Sequence, residues 1–256
     1  FREDGGQVLD DQDRVRLGDA GLSGDPGDSQ MLLVTEAGHP LRIDDSEDLA
    51  ATLGAGRGEV LPVPYDLSLS FLPGARRGPE AILLASRELE PFLLELGAAP
   101  EEVGIHAAEP VPWVAGMAEE SHRLIREEAL KHLRAGKWLV ALGGDHSVTH
   151  PLVQAHREAL GEFSLLHVDA HADLYPEWQG SVYSHASPFY RVLTEGFPLV
   201  QVGIRAMDRD SLRLARKRGV ALFPAHRIHR EGLPLDEILE ALGKRVYISL
   251  DFDALD

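Results

Sequence analysis

The sequence has 256 residues, of which 44 % are hydrophobic and 26 % charged, an ordinary composition for a globular protein that we expect to form one domain. Its formal net charge of −17 argues against nucleic acid and anionic membranes as partners. The absence of cysteine excludes disulfides, thiolate metal ligands and thiol nucleophiles. Neither a signal peptide nor an apolar span is visible, so we expect a cytoplasmic protein without a membrane partner.

The first 58 residues are predicted to be an acidic N-terminal extension. They contain 13 Asp and Glu against 5 Lys and Arg, which gives a net charge of −8. Glycine and aspartate are scattered through residues 18–30, as in loops. Within the extension, residues 31–43 have the pattern of a strand, a turn and a second strand.

From Glu59 onward, short apolar runs alternate with helical patterns. In chain order the patterns predict a strand at 59–66, helices at 78–97 and 117–136, a strand at 137–142, a helix at 150–161, strands at 163–170 and 198–204, a helix at 210–219, a strand at 220–225, a helix at 235–243 and a strand at 245–253. Nearly continuous apolar strands separated by helices indicate a parallel sheet that is covered on both faces. Residues 59–256 are therefore predicted to form a single three-layer α/β/α domain with a mostly parallel central sheet.

The strand predicted at 163–170 leads into Asp169, His171 and Asp173, which occupy every second position. In extended backbone these side chains share one face. Charged groups next to a buried strand are costly unless they are paired or bind a metal ion. Between Gly136 and Arg191 the only Lys or Arg residues are Lys137 and Arg157, so a bound cation is the better partner.

Two other predicted strands end in the same way. One is followed by Asp145 and His146, and another by Asp251 and Asp253. Ligands of open parallel α/β sheets lie outside the carboxyl ends of the strands, where all three clusters fall. Six candidate metal ligands result: His146, Asp169, His171, Asp173, Asp251 and Asp253. Four carboxylates and two imidazoles exceed the needs of one tetrahedral zinc and suit two divalent ions such as Mn²⁺.

These motifs, as they stand here, resemble those of the ureohydrolase family of arginases and agmatinases. The likeness lies in GGDHS (143–147), DAHAD (169–173) and SLDFDALD (249–256), which match the family's three metal motifs in order and spacing. The PGARRGP stretch (73–79) and YSHAS (183–187) resemble the agmatinase branch more than arginase. The likeness covers residues 59–256, which would then be the catalytic domain.

The resemblance implies two Mn²⁺ ions per subunit. One would be held by His146, Asp169, Asp173 and Asp251, and the other by Asp169, His171, Asp251 and Asp253. It further implies that Asp173 passes a proton to the departing amine and that His185 supplies or relays another. The implied substrate is a small cationic guanidine, agmatine or aminopropylagmatine, cleaved to urea and a polyamine by a homo-oligomer, either a trimer or a hexamer.

Two departures from the family pattern and several alternatives follow from the same residues. Ala186 stands where many relatives have glycine, and the family's guanidinium-binding glutamate is expected beyond Asp256.

Arginine, guanidinobutyrate and formimidoylglutamate are alternative substrates. A different dinuclear hydrolase and a non-catalytic family member are alternative functions. We expect His167 to be a core histidine bonded to backbone rather than a ligand.

Overall fold

The computed structural model describes residues 58–70, 72–89, 92, 94 and 104–255 in full, and residues 30–34 as backbone only. The strands are β1 (Gln30–Val34), β2 (Gly58–Val63), β3 (Ile105–Ala107), β4 (Trp138–Gly143), β5 (Ser164–Val168), β6 (Leu199–Val202), β7 (Ala221–Phe223) and β8 (Val246–Asp251). The helices are α1 (Gly78–Ser86), α2 (Ala118–Arg134), α3 (Thr149–Leu160), α4 (Pro188–Thr194), α5 (Arg209–Arg218), α6 (Ala225–Glu231) and α7 (Leu235–Ala241).

The described strands form one eight-stranded sheet in the order β3-β2-β4-β1-β8-β5-β6-β7. All neighbouring pairs are parallel except those of β1, which pairs with both β4 and β8 in antiparallel register. The predicted mostly parallel sheet is therefore confirmed. The first strand of the pattern at 31–43 corresponds to β1, and the rest of that pattern lies outside the described residues.

Helices cover both faces of the sheet. Alternate residues of one strand face opposite layers: Leu139 and Ala141 of β4 belong to the large core packed by α2 to α5, whereas Val140 and Leu142 contact side chains of α1. On the face that α1 covers, the strands β6 and β7 pack against α6 and α7. This arrangement is the three-layer α/β/α domain that the sequence pattern predicts.

The ends of some elements differ from the prediction. The helix predicted at 78–97 ends at Ser86, and the backbone N–H groups of Arg87, Glu88 and Leu89 make turn bonds to the carbonyls three residues earlier. Pro91 follows closely in the sequence and disfavours helical backbone in the residue before it. Three short elements, β3, α4 and α6, have no counterpart in the predicted set, because their patterns are too brief to show a period.

One glycine brings two segments of the fold into contact beside the carboxyl end of β4. A Cβ atom at Gly144 would lie 2.1 Å from the carbonyl oxygen of Tyr65. The next backbone N–H, that of Asp145, donates to the same oxygen over 2.8 Å. The segment after β2 is therefore held directly against the loop after β4, and both segments reach the carboxyl edge of the sheet where the candidate site lies.

Among the described residues, no helix is long and apolar enough to cross a membrane.

Candidate metal centre

Three chain segments bring the six predicted ligands to the same edge of the sheet. His146 opens a short 3-10 helix after β4, which Asp145 caps by accepting the backbone N–H of Ser147. Asp169 and His171 follow β5, and Asp173 comes two residues later. Asp251 is the last residue of β8 and caps a second 3-10 helix that contains Asp253. All six line one cavity.

His146 is the centre of the first group of side chains. Its Nδ1 atom lies 3.0 Å from Oδ2 of Asp169, 3.1 Å from Oδ2 of Asp173 and 3.4 Å from Oδ2 of Asp251. Its other ring nitrogen, Nε2, lies 3.0 Å from the hydroxyl of Ser249. One imidazole nitrogen and three carboxylate oxygens thus converge in a buried position.

His171 is the centre of the second group. Its Nδ1 atom lies 2.9 Å from Oδ2 of Asp253 and 3.7 Å from Oδ1 of Asp169. The side chain of His171 is 58 % exposed, whereas that of Asp169 is 1 % exposed. Asp169 therefore takes part in both groups, with one carboxylate oxygen directed to each.

The electrostatics of the two groups reflect a large excess of negative charge. Hydrogen bonds to Asp169 and Asp253 raise the pKa of His171 to about 10. Burial works against a charge on His146, but its bonds to Asp169, Asp173 and Asp251 hold its pKa well above the ordinary value. Burial, together with the neighbouring Asp169 carboxylate, raises the pKa of Asp173 to about 6 against the effect of its bond to His146. The carboxylates thus draw positive charge into the site, which bound cations would supply.

Asp173 has an unusual backbone. Its φ angle is +51°, in the left-handed region that aspartate tolerates better than most residues. Its carbonyl oxygen accepts the backbone N–H of Tyr190 in α4 over 3.2 Å, which anchors the turn. The strained backbone brings the Asp173 carboxylate back toward His146, so the strict every-second-residue geometry of a strand is not what brings these ligands together.

His185, the predicted proton-transfer residue, lines the same cavity. Its Nδ1 atom donates to the backbone carbonyl of Ser68, which leaves Nε2 as an acceptor 3.2 Å from the hydroxyl of Ser70. The indole N–H of Trp178 donates to that same hydroxyl over 3.0 Å. The hydroxyl of Ser70 therefore accepts one hydrogen bond and can donate its own hydrogen to His185.

The cavity has a volume of about 580 Å³, and part of its lining outside the two groups is aromatic and acidic. The rings of Tyr175 and Trp178 lie there with centroids 5.0 Å apart. Asp208, at the start of α5, is the acidic residue of this region, and it accepts hydrogen bonds from Tyr175 and Ser211. None of the described residues that line the cavity is a lysine or an arginine.

Several residues of the site have no signal in the local sequence pattern. Ser68 and Ser70 meet His185 only through tertiary contacts across more than a hundred residues, and Trp178 meets Ser70 in the same way. Asp208 could have been found as the capping residue of a predicted helix, because an aspartate stands just before the helical pattern at 210–219. That signal does not say that the carboxylate also faces a cavity.

His167 is buried as expected, but the expectation that its ring bonds to backbone is wrong. Its Nε2 atom lies 2.7 Å from Oδ2 of Asp169, and its Nδ1 atom lies 2.9 Å from the side-chain nitrogen of Gln201. By distance alone, two sets of three side chains in the described part of the chain could each hold an ion: His146, His167 and Asp169, and Asp169, His171 and Asp253. The first set brings His167 into consideration beside the six predicted residues.

Comparison with known proteins identifies the family of the chain. A sequence model described as the Arginase family matches residues 58–256. The chain is 97 % identical over 197 residues to a protein of Thermus thermophilus named N(1)-aminopropylagmatine ureohydrolase, with 77 % of this chain and 67 % of that protein covered. It is 31 % identical over 206 residues to a Synechocystis protein of the same name, again covering 77 % and 67 %.

A solved structure resembles the fold as well. The crystal structure of a hypothetical agmatinase from Burkholderia thailandensis superposes with a TM-score of 0.68 and 31 % identity, covering 77 % of this chain and 63 % of the other. The chain spans about two thirds of the length of these relatives. The predicted family, the α/β fold and the enzyme class, a hydrolase of the ureohydrolase type, are confirmed. The chain belongs to the arginase family.

Proposed function

We propose that this chain, with two Mn²⁺ ions bound, hydrolyses the guanidinium group of an amine-tailed guanidine, N(1)-aminopropylagmatine or agmatine, and releases urea and a polyamine. The observation that carries the proposal is the pair of ligand groups, one around His146 and one around His171, that share Asp169 at the wall of one cavity. The names of the two similar ureohydrolases support the choice of substrate.

The side chains present fit a pair of divalent cations. Nitrogen and carboxylate oxygen donors suit manganese, and these donors lie 2.9–3.7 Å apart around two centres. In the proposal, His146, Asp169, Asp173 and Asp251 hold one ion, and Asp169, His171, Asp251 and Asp253 hold the other. Two bound Mn²⁺ ions would make a water molecule nucleophilic at neutral pH by lowering its pKa.

In the proposal, side chains of the protein transfer the protons of the reaction. The carbon–nitrogen bond breaks when water adds its oxygen to the guanidinium carbon and the departing nitrogen gains a proton. Asp173, whose carboxylate lies at the cavity wall 3.1 Å from Nδ1 of His146, is placed to accept a proton and pass it on. His185 lines the cavity with its Nε2 3.2 Å from the hydroxyl of Ser70, and can relay the second proton.

The aromatic and acidic part of the cavity lining suits a cationic tail. Tyr175 and Trp178 supply aromatic rings, which attract ammonium groups, and Asp208 supplies a negative charge. A carboxylate in the tail, as in guanidinobutyrate, formimidoylglutamate and, beside an ammonium group, arginine, would meet the like charge of Asp208, and none of the described lining residues is a lysine or arginine that would offset it. The lack of lysine and arginine among the described lining residues also disfavours a dinuclear hydrolase that acts on phosphate esters.

Further parts of the proposal rest on the family resemblance. They are a role in polyamine synthesis, a cytoplasmic location and assembly as a homo-oligomer, trimer or hexamer. Light scattering coupled to size-exclusion chromatography would measure the assembly directly.

The experiment that tests the proposal is a product assay with a panel of substrates. The chain is incubated with Mn²⁺ and, separately, with aminopropylagmatine, agmatine, arginine and guanidinobutyrate, and released urea is measured. An Asp251→Asn variant and an EDTA-treated sample serve as controls. Urea from an amine-tailed guanidine that both controls abolish would support the proposal. A chain that binds two Mn²⁺ ions and releases urea from none of the four would instead favour a non-catalytic family member.

A second arm of the assay tests the tail region. The Asp208→Asn variant removes the charge but keeps a residue that caps helices well. We expect kcat/KM for agmatine to fall by roughly tenfold, about 1.4 kcal/mol, because one partly screened charge pair is lost. For butylguanidine, which has no tail charge, kcat/KM should not change. Equal losses of kcat/KM for the two substrates would show that Asp208 does not recognise the charge of the tail.

A further inference from the structure

Three buried polar residues form a row across the sheet directly beneath the candidate metal centre. His167 of β5 is in register with Ser249 of β8 on one side and with Gln201 of β6 on the other. All three are fully buried on the face packed by α2 to α5, where the preceding residues on the same face, Leu165, Leu199 and Tyr247, are apolar. Buried polar groups in such a position are costly unless they are hydrogen-bonded. The hydrogen-bond partners of these three side chains therefore indicate what the side chains do.

Gln201 determines which nitrogen of His167 carries the hydrogen. Its side-chain nitrogen donates to the backbone carbonyl of Ala172 over 2.8 Å, and this contact fixes the orientation of the amide because a carbonyl can only accept. The same nitrogen lies 2.9 Å from Nδ1 of His167. Nδ1 must therefore be the acceptor, and the hydrogen of the neutral imidazole is on Nε2.

The Nε2–H group of His167 points at the carboxylate that both ligand groups share. It donates to Oδ2 of Asp169 over 2.7 Å. The ring cannot turn away from this bond easily, because it stacks on Phe189 with centroids 3.6 Å apart and ring planes only 16° from parallel. The second oxygen of Asp169 accepts the backbone N–H of His171 over 2.5 Å. Both oxygens of the shared carboxylate are thus held in place before any ion binds.

Ser249, at one end of the row, is placed to set the tautomer of His146, as Gln201 sets that of His167. Its hydroxyl lies 3.0 Å from Nε2 of His146 and can accept the hydrogen of that nitrogen. With an ion bound, His146 would then direct an unprotonated Nδ1 toward that ion, as a metal-binding imidazole must.

We infer that His167, with its tautomer set by Gln201, is a positioning residue that holds the carboxylate of Asp169 in the orientation that bridges the two ions. The inference rests on the proposed function, since it takes Asp169 as a shared ligand. His167 does not act as a ligand itself in this arrangement, because Nδ1 accepts from Gln201 and Nε2 donates to Asp169, which leaves no lone pair for an ion. Partners of metal ligands commonly contribute 10–100-fold to metal affinity.

The test measures Mn²⁺ binding to the chain by calorimetry, together with thermal unfolding in EDTA. We expect His167→Leu, which keeps the bulk but removes the donor, to weaken Mn²⁺ binding by roughly 10–100-fold. His167→Gln, which restores an N–H donor of similar reach, should recover most of the affinity. Gln201→Glu should weaken binding as well, because a carboxylate accepts rather than donates and would draw the hydrogen to Nδ1.

The matched control is His156→Gln, which changes another buried histidine whose ring donates to the backbone carbonyl of Leu152. Its Mn²⁺ affinity should equal that of the unmodified chain. Unchanged affinity in His167→Leu and in Gln201→Glu would overturn the inference, and so would a His167→Gln variant no better than His167→Leu, which would point to direct ligation. An unmodified chain that binds no Mn²⁺ would contradict the proposed function instead, so the two failures are distinguishable.

Discussion

His185 is held by both the backbone and the side chain of Ser68. The imidazole donates its Nδ1 hydrogen to the carbonyl oxygen of Ser68 over 2.5 Å, and the backbone N–H of His185 donates to the Ser68 hydroxyl over 2.8 Å. Asp145 in turn accepts the N–H and the hydroxyl of Ser68 over 3.0 and 2.9 Å. The loop after β4, the segment after β2 and His185 are therefore linked by one hydrogen-bond network.

The first prediction concerns His185. A His185→Asn variant should lose catalytic turnover by roughly 10²–10⁴-fold, because a positioned acid–base group is removed, while Mn²⁺ binding stays unchanged. The measurement is kcat for urea release at saturating substrate, with Mn²⁺ content determined on the same sample. The control is His226→Asn, which alters an exposed histidine on α6 and should leave kcat unchanged. A loss of both metal and activity in His185→Asn would mean that His185 contributes to metal binding.

The second prediction separates the two ligand groups. Asp173 lies beside His146, and Asp253 lies beside His171, so each carboxylate is expected to serve one ion. Asp253→Asn and Asp173→Asn should each lower the Mn²⁺ content from two ions per chain toward one, and Asp169→Asn should lower it toward zero. Elemental analysis after dialysis against low Mn²⁺ gives the stoichiometry. The exposed carboxylate of Asp210 provides a control variant, Asp210→Asn, that should keep both ions. Full content in Asp169→Asn would contradict the shared-ligand assignment.

The third prediction is a pH dependence of stability that arises away from the site. Burial lowers the pKa of His156 to about 4, against an ordinary value of 6.5. The unfolded chain therefore binds a proton that the folded chain excludes between about pH 6.5 and 4, so this group makes stability fall as the pH falls through that window. From pH 7 to pH 5 the loss should be about 2 kcal/mol.

The measurement for this prediction is a double difference. The free energy of unfolding in urea, with EDTA present, is compared at pH 7 and pH 5 for the unmodified chain and for His156→Gln. Over that pH interval the free energy of unfolding of the variant should fall by about 2 kcal/mol less than that of the unmodified chain, because glutamine does not titrate. An equal loss in the two chains would show that His156 is protonated in the folded protein as readily as in the unfolded one.

The fourth prediction concerns Gly144. A side chain there would place Cβ 2.1 Å from the carbonyl oxygen of Tyr65 and 2.9 Å from its carbonyl carbon, and neither backbone atom can move without disturbing the bond to Asp145. Gly144→Ala should therefore destabilise the protein by at least about 2 kcal/mol. Gly116→Ala is the control, since its φ of +73° costs about 1 kcal/mol but its Cβ would meet no atom within 4 Å. Equal losses in urea denaturation would show that the contact at Gly144 relaxes easily.

The sequence by itself determined the α/β class and the location of the candidate site. Alternating strand and helix patterns are local properties of the chain, and the carboxyl ends of parallel strands meet at one edge whatever the order of the strands. His146, Asp169 and Asp251 each stand at or directly beyond such an end, so their convergence could be predicted without coordinates. The motif likeness added the family, which the comparisons confirm.

Only the tertiary structure decided the relationships between distant segments. The antiparallel position of β1 between β4 and β8, the bond between Ser68 and His185, and the alignment of Gln201 with His167 all depend on strand order and register. His167 shows why local reasoning stops there. Its position in a buried strand predicts a core residue, but its role depends on a hydrogen-bond donor in the next strand of the sheet, 34 residues later in the chain. A pairing between strands is set by the packing of the whole sheet, and no short stretch of sequence contains it.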